Sequence, residues 1–180
     1  MKKEGNRSKK YLVLTTYNTD AQAVKTLRGE LAPVIGDVEI ISTAGLTIRH
    51  CIGCNDCWIK TPGICCIHDD YEPIFIKLLQ ADVVILLTET KLGFVCSSMK
   101  NAIDRILPML TMHLKYVNGQ MRHYLRYDKA PRMALIYLGE ADNGFLNRWL
   151  GRVQINLNRK PIGAYSYDHR KELYHELGNY

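Results

Sequence analysis

Asp82-Val-Val-Ile-Leu-Leu87 is apolar without a break after its first residue, and a strand of that kind belongs in a sheet covered on both faces. Working outward, Tyr11-Leu-Val-Leu-Thr15, Val38-Glu-Ile-Ile-Ser42, Met133-Ala-Leu-Ile-Tyr-Leu138 and Ile162-Gly-Ala-Tyr165 are further short β-rich runs. Helical spacing lies between them. Val24, Leu27 and Leu31 mark one face, ending at Pro33. Ile74, Ile76, Leu78 and Leu79 mark a second, with Asp69 and Asp70 as N-cap candidates. Met99, Ala102, Ile103, Ile106 and Leu110 mark a third, which Pro108 should kink or end; Phe145, Leu146, Trp149, Leu150 and Val153 mark a fourth, and a polar helix closes the chain. Strand and helix alternate throughout, which predicts a parallel sheet with helices on both faces, because each right-handed crossover must cover the sheet it returns to.

A chain of 180 residues with 47% apolar and 23% charged residues has the balance of an ordinary globular protein and buries one good core. The expectation is one domain over residues 11–180 behind a disordered basic tail at 1–10, with no repeat and no linker. No apolar run approaches the roughly 20 residues of a spanning helix, and the first ten residues lack the apolar core of a secretory signal. A cytoplasmic protein without a membrane partner follows as the expectation. Of the net charge of +6, four lysines and an arginine fall in the first ten residues and the rest are scattered among acids. That pattern reads as a solvated tail, with no nucleic-acid partner.

Five of the six cysteines crowd into Cys51-Ile-Gly-Cys54-Asn-Asp-Cys57-Trp58 and Cys65-Cys66, between the second strand and the second helix. Structural disulfides would be spread along the chain. Cys51, Cys54, Cys57 and Cys65 follow a Cys-x2-Cys-x2-Cys-x7-Cys spacing compatible with a four-cysteine iron-sulfur cluster. Zinc is a second reading, through four thiolates or with His50 or His68. A third is a loop of small, half-buried packing residues, and the same reading suits Cys96 further on.

The segments Cys51 to Trp58, Cys65 to Asp70, Leu92-Gly93-Phe94, Lys100-Asn-Ala-Ile-Asp-Arg105 followed by Pro108, Gly119-Gln-Met-Arg-His and Arg126-Tyr127-Asp-Lys-Ala-Pro131 stand in one order over residues 50–131. In that order they resemble the flavodoxin-like NAD(P)H-dependent FMN reductases, in the branch related to iron-sulfur flavoproteins. The resemblance implies a flavodoxin-like doubly wound five-stranded sheet, order 2-1-3-4-5, with its ligand crevice at the carboxyl ends of strands one and three. It implies FMN as cofactor, NAD(P)H as electron donor, a small-molecule electron acceptor and a homo-oligomer, dimer or tetramer. A 4Fe-4S cluster on Cys51, Cys54, Cys57 and Cys65 belongs to the iron-sulfur branch. Catalytic side chains are not implied, since the cofactor carries the hydride.

By the same resemblance, the FMN phosphate falls to Thr15, Thr16, Tyr17, Asn18 and Thr19, whose short hydroxyls and backbone N–H groups suit an anion at a helix start. The plainer alternative is that Asn18, Thr19 or Asp20 caps the first helix. The ring falls to Thr88, Thr90, Lys91, Leu92, Gly93 and Phe94, against a plain strand-to-helix turn as the alternative. Two positions depart from the pattern. Thr15-Thr-Tyr-Asn-Thr19 stands where relatives have a Gly-Ser-Pro-Arg-like segment, and Glu89 stands where they tend to have proline. The departures leave two rival functions: an iron-sulfur flavoprotein electron carrier, and a flavin-free interaction subunit with a degenerate phosphate loop. Asp104-Arg105 reads as a helix-borne ion pair. Trp58 and Tyr71 either cover a flavin or close their loop, and Arg122, His123, Arg126 and Tyr127 read as a solvated connection or as a receiver for a dinucleotide phosphate or a second subunit.

Overall fold

In the computed structural model, which describes residues 8–179, most of the expected basic tail lies outside the described residues. Along the chain run β1 (Tyr11–Thr15), α1 (Gln22–Ile35), β2 (Glu39–Ser42), α2 (Asp56–Ile59), α3 (Tyr71–Gln80), β3 (Val83–Lys91), β4 (Phe94–Val95) and α4 (Ser97–Asp104). A 3₁₀ turn at Leu107–Met109 leads to β5 (Leu110–Val117), β6 (Gln120–Leu125), β7 (Arg132–Leu138), α5 (Asn143–Asn156), β8 (Gly163–Ser166) and α6 (Arg170–Gly178). The main sheet has the order β2-β1-β3-β7-β8, every pair parallel. This is the flavodoxin-like order expected from the sequence, with the reversal between β1 and β3.

Two cores flank the sheet because its side chains alternate with period two. Leu12, Leu14, Val84, Leu86, Met133 and Leu135 face α3, α4 and α5. Val13, Ile85, Leu87, Ala134 and Ile136 face α1 and α6, which bring Val24, Leu27, Leu31, Leu173 and Leu177. Pro33 does not stop α1; it sits inside the last turn, which ends at Gly36.

Three local expectations are corrected. Residues 88–94 are not a strand-to-helix loop: β3 runs through Lys91 and folds back on β4, pairing Thr90 with Val95 and Lys91 with Phe94. Leu92 and Gly93 turn the chain at φ +53° and +74°, the signs of a type I′ hairpin turn. The third helix ends at Asp104, short of Pro108, so Ile106 and Leu110 lie beyond it. The connection after it is a β5–β6 hairpin around Asn118-Gly119, both at positive φ.

The cysteine loop is fastened at both ends by one buried guanidinium. Arg105 does not pair with Asp104, which takes Lys100; it donates to both oxygens of Asp69, at 2.7 and 2.6 Å, and to the Ile67 carbonyl at 2.9 Å. The two side chains are 1% and 4% exposed, so neither charge has water to fall back on. Asp69 also accepts the N–H groups of Arg49 and Tyr71, while Asp70, at the N-cap position of α3, accepts from Thr47 and makes no cap bond. Asn101 donates to the Ile48 carbonyl and Trp58 to that of Leu107. Trp58 thus closes the loop, and Tyr71 lies in the core under the Arg105 cation.

Burial alone would raise the Asp69 pKa, but the Arg105 hydrogen bonds and the two backbone N–H groups outweigh it and hold the carboxyl below its usual range. The stability this contributes is present above the unfolded value of about 3.9 and is lost as pH falls through the lower folded value. Asp69→Ala should cost about 3–5 kcal/mol at neutral pH, because it strands the Arg105 charge. In urea titrations from neutral pH into acid, the wild type should weaken below about pH 4 and Asp69→Asn should lack that component.

Candidate functional site

The rim at the carboxyl ends of β1 and β3 is built by the residues that leave those strands. Thr15 is fully buried and its hydroxyl accepts the Tyr17 N–H at 3.1 Å, so it is spent on its own turn. Thr16 donates to the Thr88 hydroxyl at 3.2 Å, joining the first loop to the second. Thr88 is 3.2 Å from the Cys96 sulfur, which is 3.3 Å from the Ser98 hydroxyl. Burial works to raise the Cys96 pKa, but the bonds from Ser98, Thr88, the Met99 N–H and Thr16 outweigh it and lower the pKa.

Asn18, Thr19 and Asp20 are exposed and none of them caps α1. The residue at the N-cap position is Ala21, whose side chain has no acceptor to offer, while its carbonyl accepts the N–H groups of Val24 and Lys25. The N-terminus of this 14-residue helix therefore meets the rim with no side-chain acceptor on its first N–H groups. Tyr17 lies half-buried between the loops; burial and then the nearby Glu89 and Cys96 raise its pKa, and its carbonyl accepts the Ser42 hydroxyl. Glu89 is paired with Lys91 at 3.1 Å.

On the second loop, the Thr90 hydroxyl is 3.1 Å from the Leu138 carbonyl and 3.0 Å from that of Glu140. Gly139, at φ +107°, has no room for a side chain: a Cβ there would lie 2.5 Å from the Thr90 oxygen. Leu92 projects into solvent at the hairpin tip, and Phe94 packs on Phe145 and Trp149 with centroids at 5.7 and 5.1 Å. The structure thus brings the first and second loops together at one rim, with Thr15 turned away from it and Leu92 at its outer tip.

The cysteine loop sorts its sulfurs by depth. Cys51, Cys57 and Cys65 are half-buried, Cys54 and Cys66 exposed, and all six cysteines are free thiols. Burial pushes the Cys57 thiol up to about 11, with Cys65, Cys51 and Cys54 adding to the shift in that order. Cys65, Cys51 and Cys54 thus lie near enough to Cys57 to oppose its ionisation, and with it they are a donor set that a cation would relieve. On either side of Cys54, Gly53 and Asn55 are left-handed, at φ +67° and +62°. A cavity of about 220 Å³ lies behind the loop, lined by Gly63, Cys65, Tyr71, Phe75, Arg105 and Tyr127. The basic-aromatic group also turns toward this loop: His123 stacks on Trp58 at 4.7 Å, Arg126 binds the Pro108 and Leu110 carbonyls, and the Tyr127 hydroxyl fills the space a side chain at Gly63 would need. Sequence reasoning missed the Cys54–Cys66 contact, at 3.4 Å between sulfurs, because it depends on that left-handed bend.

No protein-family model matches the chain. It is 38% identical to an iron-sulfur flavoprotein of Methanocaldococcus jannaschii over 73 residues, 41% of this chain and 37% of that protein, so the match spans well under half of the relative's length. Among solved structures, RosB with bound 8-demethyl-8-formylriboflavin-5'-phosphate aligns over 95% of this chain and 76% of its own, with TM-score 0.63 and 11% identity. The NAD(P)H:quinone oxidoreductase from Methanothermobacter marburgensis aligns over 96% and 97%, with TM-score 0.59 and 9% identity. What the chain shares with these structures is the doubly wound flavodoxin-like α/β fold.

Proposed function

We propose that the chain is an FMN-dependent NAD(P)H oxidoreductase that passes electrons to a small-molecule acceptor. The observation that carries this reading is the uncapped N-terminus of α1 beside a hydroxyl-rich loop at the reversal of strand order, where the fold offers an anion its best partners. The names of the relatives support it, since they are flavoproteins, a bound flavin phosphate and a quinone oxidoreductase.

The FMN phosphate would be held by the backbone N–H groups opening α1 with Thr16, Asn18 and Thr19, and the ring by the hairpin from Thr88 to Phe94. Bound flavin would supply the hydride chemistry. The chain's own work is to fix the two loops: Thr16 and Thr88 set their separation, and Lys91 neutralises the Glu89 carboxylate that would otherwise face an electron-rich ring. Six free thiols fit a reducing cytoplasm, and no helix among the described residues is long and apolar enough to cross a membrane.

Added FMN should bind with quenching of its fluorescence. Ala21→Asp separates anchoring from stability, because a carboxylate at the cap position should stabilise α1 by about 1 kcal/mol while weakening FMN binding at least about tenfold. Wild-type protein that ignores micromolar FMN and copurifies with another chain would replace this reading by the interaction subunit.

A second reading adds a 4Fe-4S cluster on Cys51, Cys54, Cys57 and Cys65, favoured by the nearness of Cys65, Cys51 and Cys54 to the half-buried Cys57. Protein purified without oxygen should then contain iron and acid-labile sulfide, and Cys57→Ser should remove most of both; metal-free wild type would leave the simple reductase.

A homo-oligomer is proposed on the apolar side of the β5–β6 hairpin, where Met112, Leu114, Tyr116 and Met121 are 50–73% exposed. Tyr116→Glu combined with Met121→Glu should shift the mass measured by light scattering to that of a monomer.

A further inference from the structure

The sulfurs of Cys54 and Cys66 stand 3.4 Å apart at the outer surface of the cysteine loop, in contact and about 1.4 Å short of a covalent S–S distance. Both residues are exposed, so a small oxidant reaches them without any opening of the fold. Cys66 is outside the Cys-x2-Cys-x2-Cys-x7-Cys series, whereas Cys54 belongs to it. The left-handed Gly53 and Asn55 carry Cys54 out of line with the half-buried Cys51 and Cys57 and toward Cys66. Asp56 completes the cluster, its carboxylate within 4.8 Å of both sulfurs, and Lys60, paired to Asp56 at 3.0 Å, supplies a nearby positive charge. Exposed thiols beside a cation are where oxidation concentrates.

We propose that Cys54 and Cys66 are a reversible dithiol–disulfide couple, closed by peroxide, whose closure withdraws Cys54 from Cys51, Cys57 and Cys65. Cys54, held at the outer surface between two left-handed residues, is the attacking sulfur. Cys54 attacks one peroxide oxygen, the O–O bond breaks, and the departing hydroxide leaves as water with the thiol proton. The Cys54 sulfenic acid is then attacked by the Cys66 sulfur; the S–O bond breaks, the S–S bond forms, and hydroxide leaves as water with the Cys66 proton. Two thiols lose two electrons in all, and one peroxide becomes two waters. Exchange with an external dithiol reopens the bond. The couple is a property of the metal-free chain and does not rest on the cluster reading.

The test treats reduced, metal-free, full-length protein with one equivalent of hydrogen peroxide and follows free thiols, intact mass and cross-linked peptides. The expected result is a loss of two of six thiols, a mass decrease of about 2 Da, and a Cys54–Cys66 peptide that dithiothreitol abolishes. Cys66→Ser should reduce cross-linked product at least about tenfold and leave oxygen added at Cys54, while Cys65→Ser and Cys96→Ser should retain the cross-link. A disulfide joining another pair in the wild type would overturn the proposal. So would thiol loss without a cross-link, or a cross-link undiminished in Cys66→Ser.

Discussion

A positive charge 1% exposed to solvent has to find its counterion inside the protein, and for Arg105 that counterion is Asp69, 36 residues upstream. The pair adds little by way of net stability, since desolvating two charges consumes most of what their attraction returns. Its force lies in what it forbids. Any arrangement that separates the two leaves a bare charge in the interior, so the far flank of the cysteine loop must return to α4, and the Arg49 and Ile67 backbone comes with it. Helix α4 thereby becomes the common support: Cys96 and Ser98, at its start, belong to the rim network, while Asn101 and Arg105 hold the cysteine loop.

The main sheet was legible because a strand buried on both faces and an amphipathic helix leave different periods in the sequence. All five parallel strands lie where their apolar runs stand, and β1 begins and ends where its run does. The β3–β4 hairpin was not legible, since its turn places a leucine where Asn or Gly would announce a type I′ turn. Asn118-Gly119 carried that announcement and lay in a stretch that reads as a solvated connection. The partner of Arg105 was hidden for another reason: a neighbouring Asp104 is visible in sequence, whereas a pairing across a loop is decided by the fold. Likewise Asn18, Thr19 and Asp20 look like caps until the helix proves to start three residues after Thr19, at Gln22.

Cysteine spacing gives an order of sulfurs along the chain and says nothing of depth. Depth comes from the short helix α2, which tucks Cys57 inward, and from the two left-handed residues that push Cys54 out. The result is one loop with an inner, sheltered group and an outer pair beside Lys60, so neighbours in sequence such as Cys65 and Cys66 live in different solvents. A cluster on Cys51, Cys54, Cys57 and Cys65 would draw on both layers, and Cys54 is the sulfur it would share with the outer pair.

Thr90 and Gly139 make the hairpin and the end of β7 a single rigid lip, because one hydroxyl reaches two carbonyls of the neighbouring turn and not even a methyl group fits between them. Moving the hairpin away from the end of β7 would therefore break both of those contacts at once.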